Sequence, residues 1–195
     1  MIALAGCNLS SLRESFNKDE GKEVLAKAKF DRVLIDSTGE LEVYASMNKV
    51  SPPNDAAILQ FSDPFKELYL LVIREDKDEF SETMSQNRDQ YMPYVKDSSS
   101  LLSVYGDYTA IRMAKNLQGG KDSLVAAKTV HGLPYRGYAV TGTDQKIPLF
   151  YMKGTYQGRH SLYQVIIWTM NSRRNLYEGV MKKMAESLQE NAASE

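Results

Sequence analysis

Apolar and polar positions change their period several times along the chain, and each change marks an element. Between Ala56 and Asp76 two extended runs, Ala57–Phe61 and Glu67–Ile73, flank Ser62-Asp63-Pro64-Phe65. Asp and Pro suit a type I turn there, because Pro pre-sets its backbone angle and Asp caps the amides that follow. Leu68-Tyr69-Leu70-Leu71-Val72-Ile73 is apolar at every position, which predicts a strand covered on both faces. It stops at Arg74-Glu75-Asp76-Lys77-Asp78-Glu79. A strand of that kind implies a sheet with helices packed on it.

Upstream, Asp19–Lys29 carries Val24, Leu25 and Ala28 on one side and predicts a short helix. Phe30–Asp36 and Leu41–Ala45 read as strands around a turn at Ser37-Thr38-Gly39-Glu40. Asn48–Asp55 contains Pro52-Pro53, which removes two amide donors and excludes regular structure. Downstream, Lys77–Met92 predicts a helix with Phe80, Met84 and Tyr91 one above another, stopped by Pro93. Asp97 or Ser98 caps a second helix, whose inner stripe is Leu101, Leu102, Tyr105, Tyr108, Ile111 and Leu117. Gly106 weakens its middle by about 1 kcal/mol relative to Ala, and Gly119-Gly120 ends it.

From Leu124 short strands alternate with turn residues. Leu124–Val130, Tyr135–Thr141, Ile147–Thr155 and Ser161–Met170 are divided by His131-Gly132, Gly142-Thr143-Asp144-Gln145 and Gln157-Gly158-Arg159-His160. Connections this short permit only antiparallel neighbours. Trp168 alternates with Ile166 and Gln164 and is expected in the core. Asn171–Glu190 closes the pattern as a helix capped by Asn171 or Ser172, with Leu176, Val180, Met184 and Leu188 four apart. The order predicts a mixed α/β (α+β) fold, an α/β/α sandwich with one twisted, mainly antiparallel sheet and helices on both faces. Residues 19–191 form a single domain in this reading. Residues 1–18 are a leader and flexible tether, and 192–195 a frayed tail.

At 195 residues the chain fits one domain and buries roughly 70% of its unfolded surface without staples. Its 24 basic and 25 acidic residues leave a formal net charge of −1. No basic excess points to nucleic acid or to an anionic membrane surface. One cysteine excludes an intramolecular disulfide. No apolar run approaches the roughly 20 residues of a transmembrane helix.

Leu4-Ala5-Gly6-Cys7 looks like a bacterial lipobox, in which small residues precede the cut and a thiol carries the lipid. The resemblance implies lipidation at Cys7, a mature chain beginning there, and a tether through Ser10 and Ser11 to Lys18. Asn8, rather than Asp, follows Cys7, which by analogy favours the outer membrane in a Gram-negative cell. A signal peptide has a basic start and a 7–15-residue apolar core, whereas six uncharged residues precede Cys7 here. The expectation is therefore a start upstream of Met1, a partial sequence, or an accidental match, and the last leaves the protein cytoplasmic.

The chain resembles the PsbP-like family in three blocks. They are Asn54–Phe61 with Phe65–Ile73; Val130-His131-Gly132-Leu133-Pro134 with Gly137 and Gly142; and Tyr163–Thr169 running into Ser172-Arg173-Arg174 and Tyr177. It looks most like small bacterial proteins of that fold, often lipoproteins. The resemblance implies an α/β/α sandwich that binds other macromolecules, with no common enzymatic activity.

Candidate chemistry is sparse. His131 and His160 are the only histidines, both at turns, with no third His or free Cys to complete a zinc set. No metal or other cofactor is expected. Gly-x-Ser-x-Gly is absent. Gly119-Gly120-Lys121-Asp122-Ser123 fails as a phosphate loop, because Lys115 and Asp122 stand where glycine and Ser/Thr belong. Tyr91, Tyr94, Tyr105 and Tyr108 form a candidate partner surface on the two helices, or else cover the sheet with their rings. The expectation is not an enzyme but a binding or assembly module for an unknown protein partner, held to a membrane by lipid alone. The alternative is a small-ligand or enzymatic pocket between the Pro52–Asp55 loop and the turns at His131 and His160.

Overall fold

The computed structural model describes residues 19–35, 39–51, 55–95 and 100–191. Helix α1 covers residues 19–27. Strands β1 (Phe30–Leu34), β2 (Gly39–Tyr44), β3 (Asn48–Lys49), β4 (Leu59–Asp63) and β5 (Leu68–Asp76) follow. Next come α2 (Lys77–Gln86), α3 (Arg88–Tyr91), a 3-10 turn at Met92–Tyr94 and α4 (Leu101–Lys115). The meander β6 (Gln118–Val130), β7 (Leu133–Asp144), β8 (Ile147–Gln157) and β9 (Ser161–Met170) leads through a 3-10 turn, Asn171–Arg173, into α5 (Arg174–Ala185) and β10 (Gln189–Glu190).

Seven strands form one antiparallel sheet in the order β3-β4-β5-β9-β8-β7-β6, and β1-β2-β10 form a separate small one. The long strand β5 pairs with β9 from Tyr69↔Trp168 to Asp76↔Ser161. Alternation assigns the faces. Leu68, Leu70 and Val72 of β5, Val165 and Ile167 of β9 and Phe150 and Met152 of β8 pack in the main core with Val180, Met181 and Met184 of α5 and with Leu41 and Val43 of the small sheet. A second core lies beneath α2, α3 and α4, where Phe80, Tyr91, Val104, Tyr105 and Tyr108 gather on Leu162. The sheet thus carries helices on both faces, as the periodicity predicts.

Several boundaries differ from the sequence pattern, each for a local reason. The helix from Lys77 breaks at Asn87, whose backbone leaves the helical region. Ser100 caps α4, accepting a 3.2 Å hydrogen bond from Ser103 N; Asp97 and Ser98 lie outside the described residues. Gly119 does not stop that helix but sits within β6 at φ +63°, and the strand begins at Gln118, six residues before the expected Leu124. α5 ends at Ala185 because fully buried Leu188 draws the chain onto the small sheet. There Ser187 Oγ accepts from Glu42 N at 2.9 Å and Gln189–Glu190 pair with β2. No side chain caps α5, so Asn171 and Ser172 do not play that part.

Two expectations about burial are corrected. β5 is sealed only on the α5 side; Tyr69, Leu71 and Ile73, pointing the other way, are half-buried. Trp168 lies on that same open side and is half-buried rather than core. Both follow from the reach of the helices on that side: α4 crosses β6, β7 and β8, α2 and α3 pack beyond it toward Leu162, and among the described residues none of them covers Tyr69, Leu71, Ile73 or Trp168 fully.

Candidate functional site

The four tyrosines of the expected partner surface are drawn inward. Tyr91, Tyr105 and Tyr108 are buried and Tyr94 is half-buried. Tyr91 stacks obliquely on Tyr108 with centroids 4.6 Å apart, and Tyr105 meets Phe80 edge-on at 5.0 Å. Burial, followed by a hydrogen bond with Tyr108, pushes the Tyr91 hydroxyl up to about 12. These rings cover the sheet. Cys7 lies outside the described residues, as does the Pro52-Pro53 part of the expected pocket wall.

His131 and His160 are both exposed, at the turns ending β6 and β8. His131 and Gly132, at φ +48° and +81°, make the tight two-residue turn that suits a twisted hairpin. His131 borders a groove of about 500 Å³ between α5 and the small sheet, with Arg32, Glu40, Glu42, Lys183 and Glu186. Those charges are mutually paired: Arg32 with Glu40, Lys183 with Glu42, and Lys128 and Lys182 with Glu186. His160 is elsewhere, its carbonyl accepting from Lys77 N at the start of α2. Among the described residues the two imidazoles lie at different turns, His131 at the groove beside α5 and His160 at the start of α2. Among the described residues no cluster of three His, Cys, Asp or Glu is arranged to hold a metal ion.

Beneath α4 the sheet carries a polar network that sequence reasoning missed. Tyr105 Oη donates to Glu75 Oε1 at 2.8 Å, and Gln164 Nε2 donates to both at 2.9 and 3.1 Å. Arg136 Nε donates to Tyr138 Oη at 2.7 Å, and both Arg136 Nη2 and Tyr138 Oη reach Asp107 Oδ1. Between the two sets lies Lys153, 0% exposed, donating to Thr109 Oγ1 with its ammonium 5.7 Å from the Tyr138 ring centre. Burial pushes its pKa down to about 7, against the opposing pull of Glu75, Asp107 and Asp122. Helix α4 lies close here because Gly106 has no Cβ: one would fall 3.0 Å from both Thr155 Oγ1 and Tyr138 Cε2. Part-buried at its edges, with Lys153 fully enclosed, this network holds α4 on the sheet.

The accessible feature is the uncovered part of the same face. Tyr69, Trp168 and Tyr151 stack across β5, β9 and β8, with ring centres 5.2 and 6.0 Å apart and planes tilted by 17° and 28°. Beside them Leu71, Ile73, Ile166 and Met113 line a groove of about 460 Å³ that continues to Gln60 and Leu149. A second groove of about 350 Å³ runs on from Tyr69 and Trp168 to Pro64, Ile147 and Met170 at the end of the sheet. Their lining is apolar and aromatic, with Glu67 and Asp144 as its carboxylates. The available signal was the alternation of Tyr69, Leu71 and Ile73 with Leu68, Leu70 and Val72. Sequence does not show where a covering helix stops.

No family model matches the chain, and no curated protein matches it in sequence. Solved structures do. LpqN of Mycobacterium tuberculosis, involved in cell envelope biogenesis, is 13% identical with a TM-score of 0.50, over 85% of this chain and 92% of that one. Cyanobacterial PsbP from Synechocystis is 13% identical with a TM-score of 0.49, over 84% and 92%. A Pseudomonas aeruginosa protein of unknown function is 15% identical with a TM-score of 0.43, over 85% and 99%. At such identities the likeness concerns the fold. It is a mixed α/β arrangement built on an antiparallel sheet. Among the described residues no helix is long and apolar enough to cross a membrane.

Proposed function

We propose that the protein is a non-catalytic lipoprotein of the bacterial cell envelope, anchored through Cys7. Its PsbP-like domain acts as a binding or assembly module for a protein partner. The observation that carries the binding role is the open half-face: Tyr69, Leu71, Ile73, Tyr151 and Trp168 together have the composition of a core, yet no element among the described residues fully covers them. Contiguous apolar surface of this kind marks interaction sites, and aromatic residues are enriched where partners bury area. The Leu4–Cys7 motif supports the location, and the envelope role of LpqN, similar in fold, is consistent with it.

The two halves are tested separately. Cells expressing the protein from its native reading frame are fed labelled palmitate; the chain takes up label and Cys7→Ser does not. An unlabelled wild-type chain ends the lipoprotein reading. A photo-crosslinking residue at Tyr151 then captures a partner in intact cells, whereas the same residue at exposed Thr83 on α2 does not. Equal capture at both positions removes the open face as the binding site.

A further inference from the structure

The end of the large sheet nearest α1 has a property that partner binding does not explain. Phe65, in the turn between β4 and β5, is 94% exposed, and Ile147, at the start of β8, is 43% exposed. The turn is well formed rather than loose. Lys66 N donates to Asp63 O at 3.2 Å and Asp63 Oδ1 accepts from the same amide at 3.1 Å. Phe65 is therefore held out from the body on a fixed hairpin tip. Pro64, Ile147 and Met170 border one groove, so the β4–β5 turn, the β7–β8 turn and the exit of β9 lie at one end of the sheet.

The chain enters at this same end. A Cβ on Gly21 of α1 would fall 3.6 Å from Leu176 O, and one on Gly179 would fall 3.1 Å from Leu25 Cδ2. Helix α1 thus runs alongside α5 in the same direction, starting beside the residues that follow β9. Eleven residues, Asn8–Lys18, separate Cys7 from the first residue of α1. Fully extended they span roughly 40 Å, so a lipid on Cys7 brings a bilayer within easy reach of Phe65.

The geometry points to a second membrane contact: the tip carrying Phe65 and Ile147 inserts into the bilayer interface beside the lipid anchor. This deepens the lipoprotein reading and rests on it. The charges around the tip are largely neutralised in pairs, Lys66 with Asp63, Arg173 with Glu67 and Arg174 with Glu178, at 2.9, 3.3 and 3.1 Å. Lys146 and Asp144, of opposite charge, are both exposed in the β7–β8 turn region. Insertion is accordingly driven by apolar burial rather than by attraction to anionic headgroups. One Phe and one Ile bind weakly from solution. Tethering turns their contact into an intramolecular one at millimolar effective concentration.

Because Cys7 is the only cysteine, the full chain can be coupled through it to a maleimide-bearing lipid in phosphatidylcholine vesicles. The tested variant is Phe65→Trp with Trp168→Phe, which leaves one tryptophan, at the tip. Brominated phosphatidylcholine should quench it at least twofold more than a tryptophan introduced by His131→Trp at the opposite end of the sheet in the same background. Circular dichroism verifies that each variant is folded. Equal quenching at both ends overturns the proposal. So does quenching that appears only with phosphatidylglycerol and vanishes at high salt, because that is surface attraction. A dimer in solution that Phe65→Ser abolishes would assign the tip to a second copy instead. Coupling here is chemical, so failure at the tip is distinct from failure of Cys7 to be lipidated in cells, which palmitate labelling reads.

Discussion

Burial without a carboxylate partner governs the behaviour of Lys153. Its pKa of about 7 lies below the 10.5 of a free lysine, so between those values the unfolded chain binds a proton that the folded one does not. Stability must therefore rise with pH across that window, by up to about 1.4 kcal/mol per pH unit while the difference is a whole proton. The rise ends near pH 10. Burial pushes the hydroxyls of Tyr105, Tyr135, Tyr138 and Tyr156 up, so their neutral forms are favoured in the fold and stability is lost as unfolded tyrosines ionise above pH 10. Denaturant unfolding of the wild type should gain stability from pH 7 to pH 9.5, whereas Lys153→Met should be flatter and the more stable of the two at pH 7. Identical slopes would mean that Lys153 is not the titrating group. Two residues adjacent in sequence make a second contrast. Ile167→Ala, in the main core, should cost about 2–5 kcal/mol, and Trp168→Ala less per atom removed, because part of its surface is already open. Neither difference is legible in the sequence, where Lys153 is one more charge on an alternating strand and Trp168 one more apolar residue.

Helix α4 shows how an element can oppose its own propensities. By helix propensity alone Gly106→Ala should gain about 1 kcal/mol. Here the methyl group would press on the Tyr138 hydroxyl and ring and on Thr155, within the network that joins Asp107 and Arg136. Net destabilisation is expected, seen as a lower thermal midpoint, and a gain would show that α4 lifts without cost. Ser100→Ala should cost about 1 kcal/mol through the lost cap. At this scale the sequence was most informative where one cause sets the outcome. The β meander, its tight turn at His131-Gly132 and the amphipathic α5 follow from turn chemistry and periodicity. Boundaries set by distant residues did not follow. α5 stops short of the expected Glu190 because Leu188 and Gln189 answer to β2, about 150 residues earlier, and no local pattern encodes that. The tyrosines around α4 had the composition of an interface, but composition does not distinguish a ring that covers a sheet from one that faces a partner.

The two faces of the molecule are unequally secured. On one side α5 and the small sheet close over the main core, with Val180, Met181 and Met184 all fully buried. On the other, α2 and α3 contribute one buried residue each, Phe80 and Tyr91, and the remaining positions of α2 are exposed or half-exposed. Beyond hydrogen bonds from Lys77 to the β8–β9 turn and from Gln90 to Tyr108, their hold on the body passes through a few ring contacts, Phe80 with Tyr91 at 5.6 Å and with Tyr105 at 5.0 Å. Segments with so few buried contacts open in sub-global steps well below the energy of complete unfolding. Amides of α2 and α3 should accordingly exchange with solvent much faster than those of β8 and β9, which have neighbours on both edges. Phe80→Ala sharpens the test. In a fully cooperative protein it would cost about 3–5 kcal/mol everywhere. If α2 and α3 open alone, the global loss cannot exceed the energy that held them down, and the extra exchange stays within residues 77–94. Hydrogen exchange on the wild type and Phe80→Ala decides between these outcomes, and an equal loss of protection in β8 and β9 would show that the two cores unfold as one.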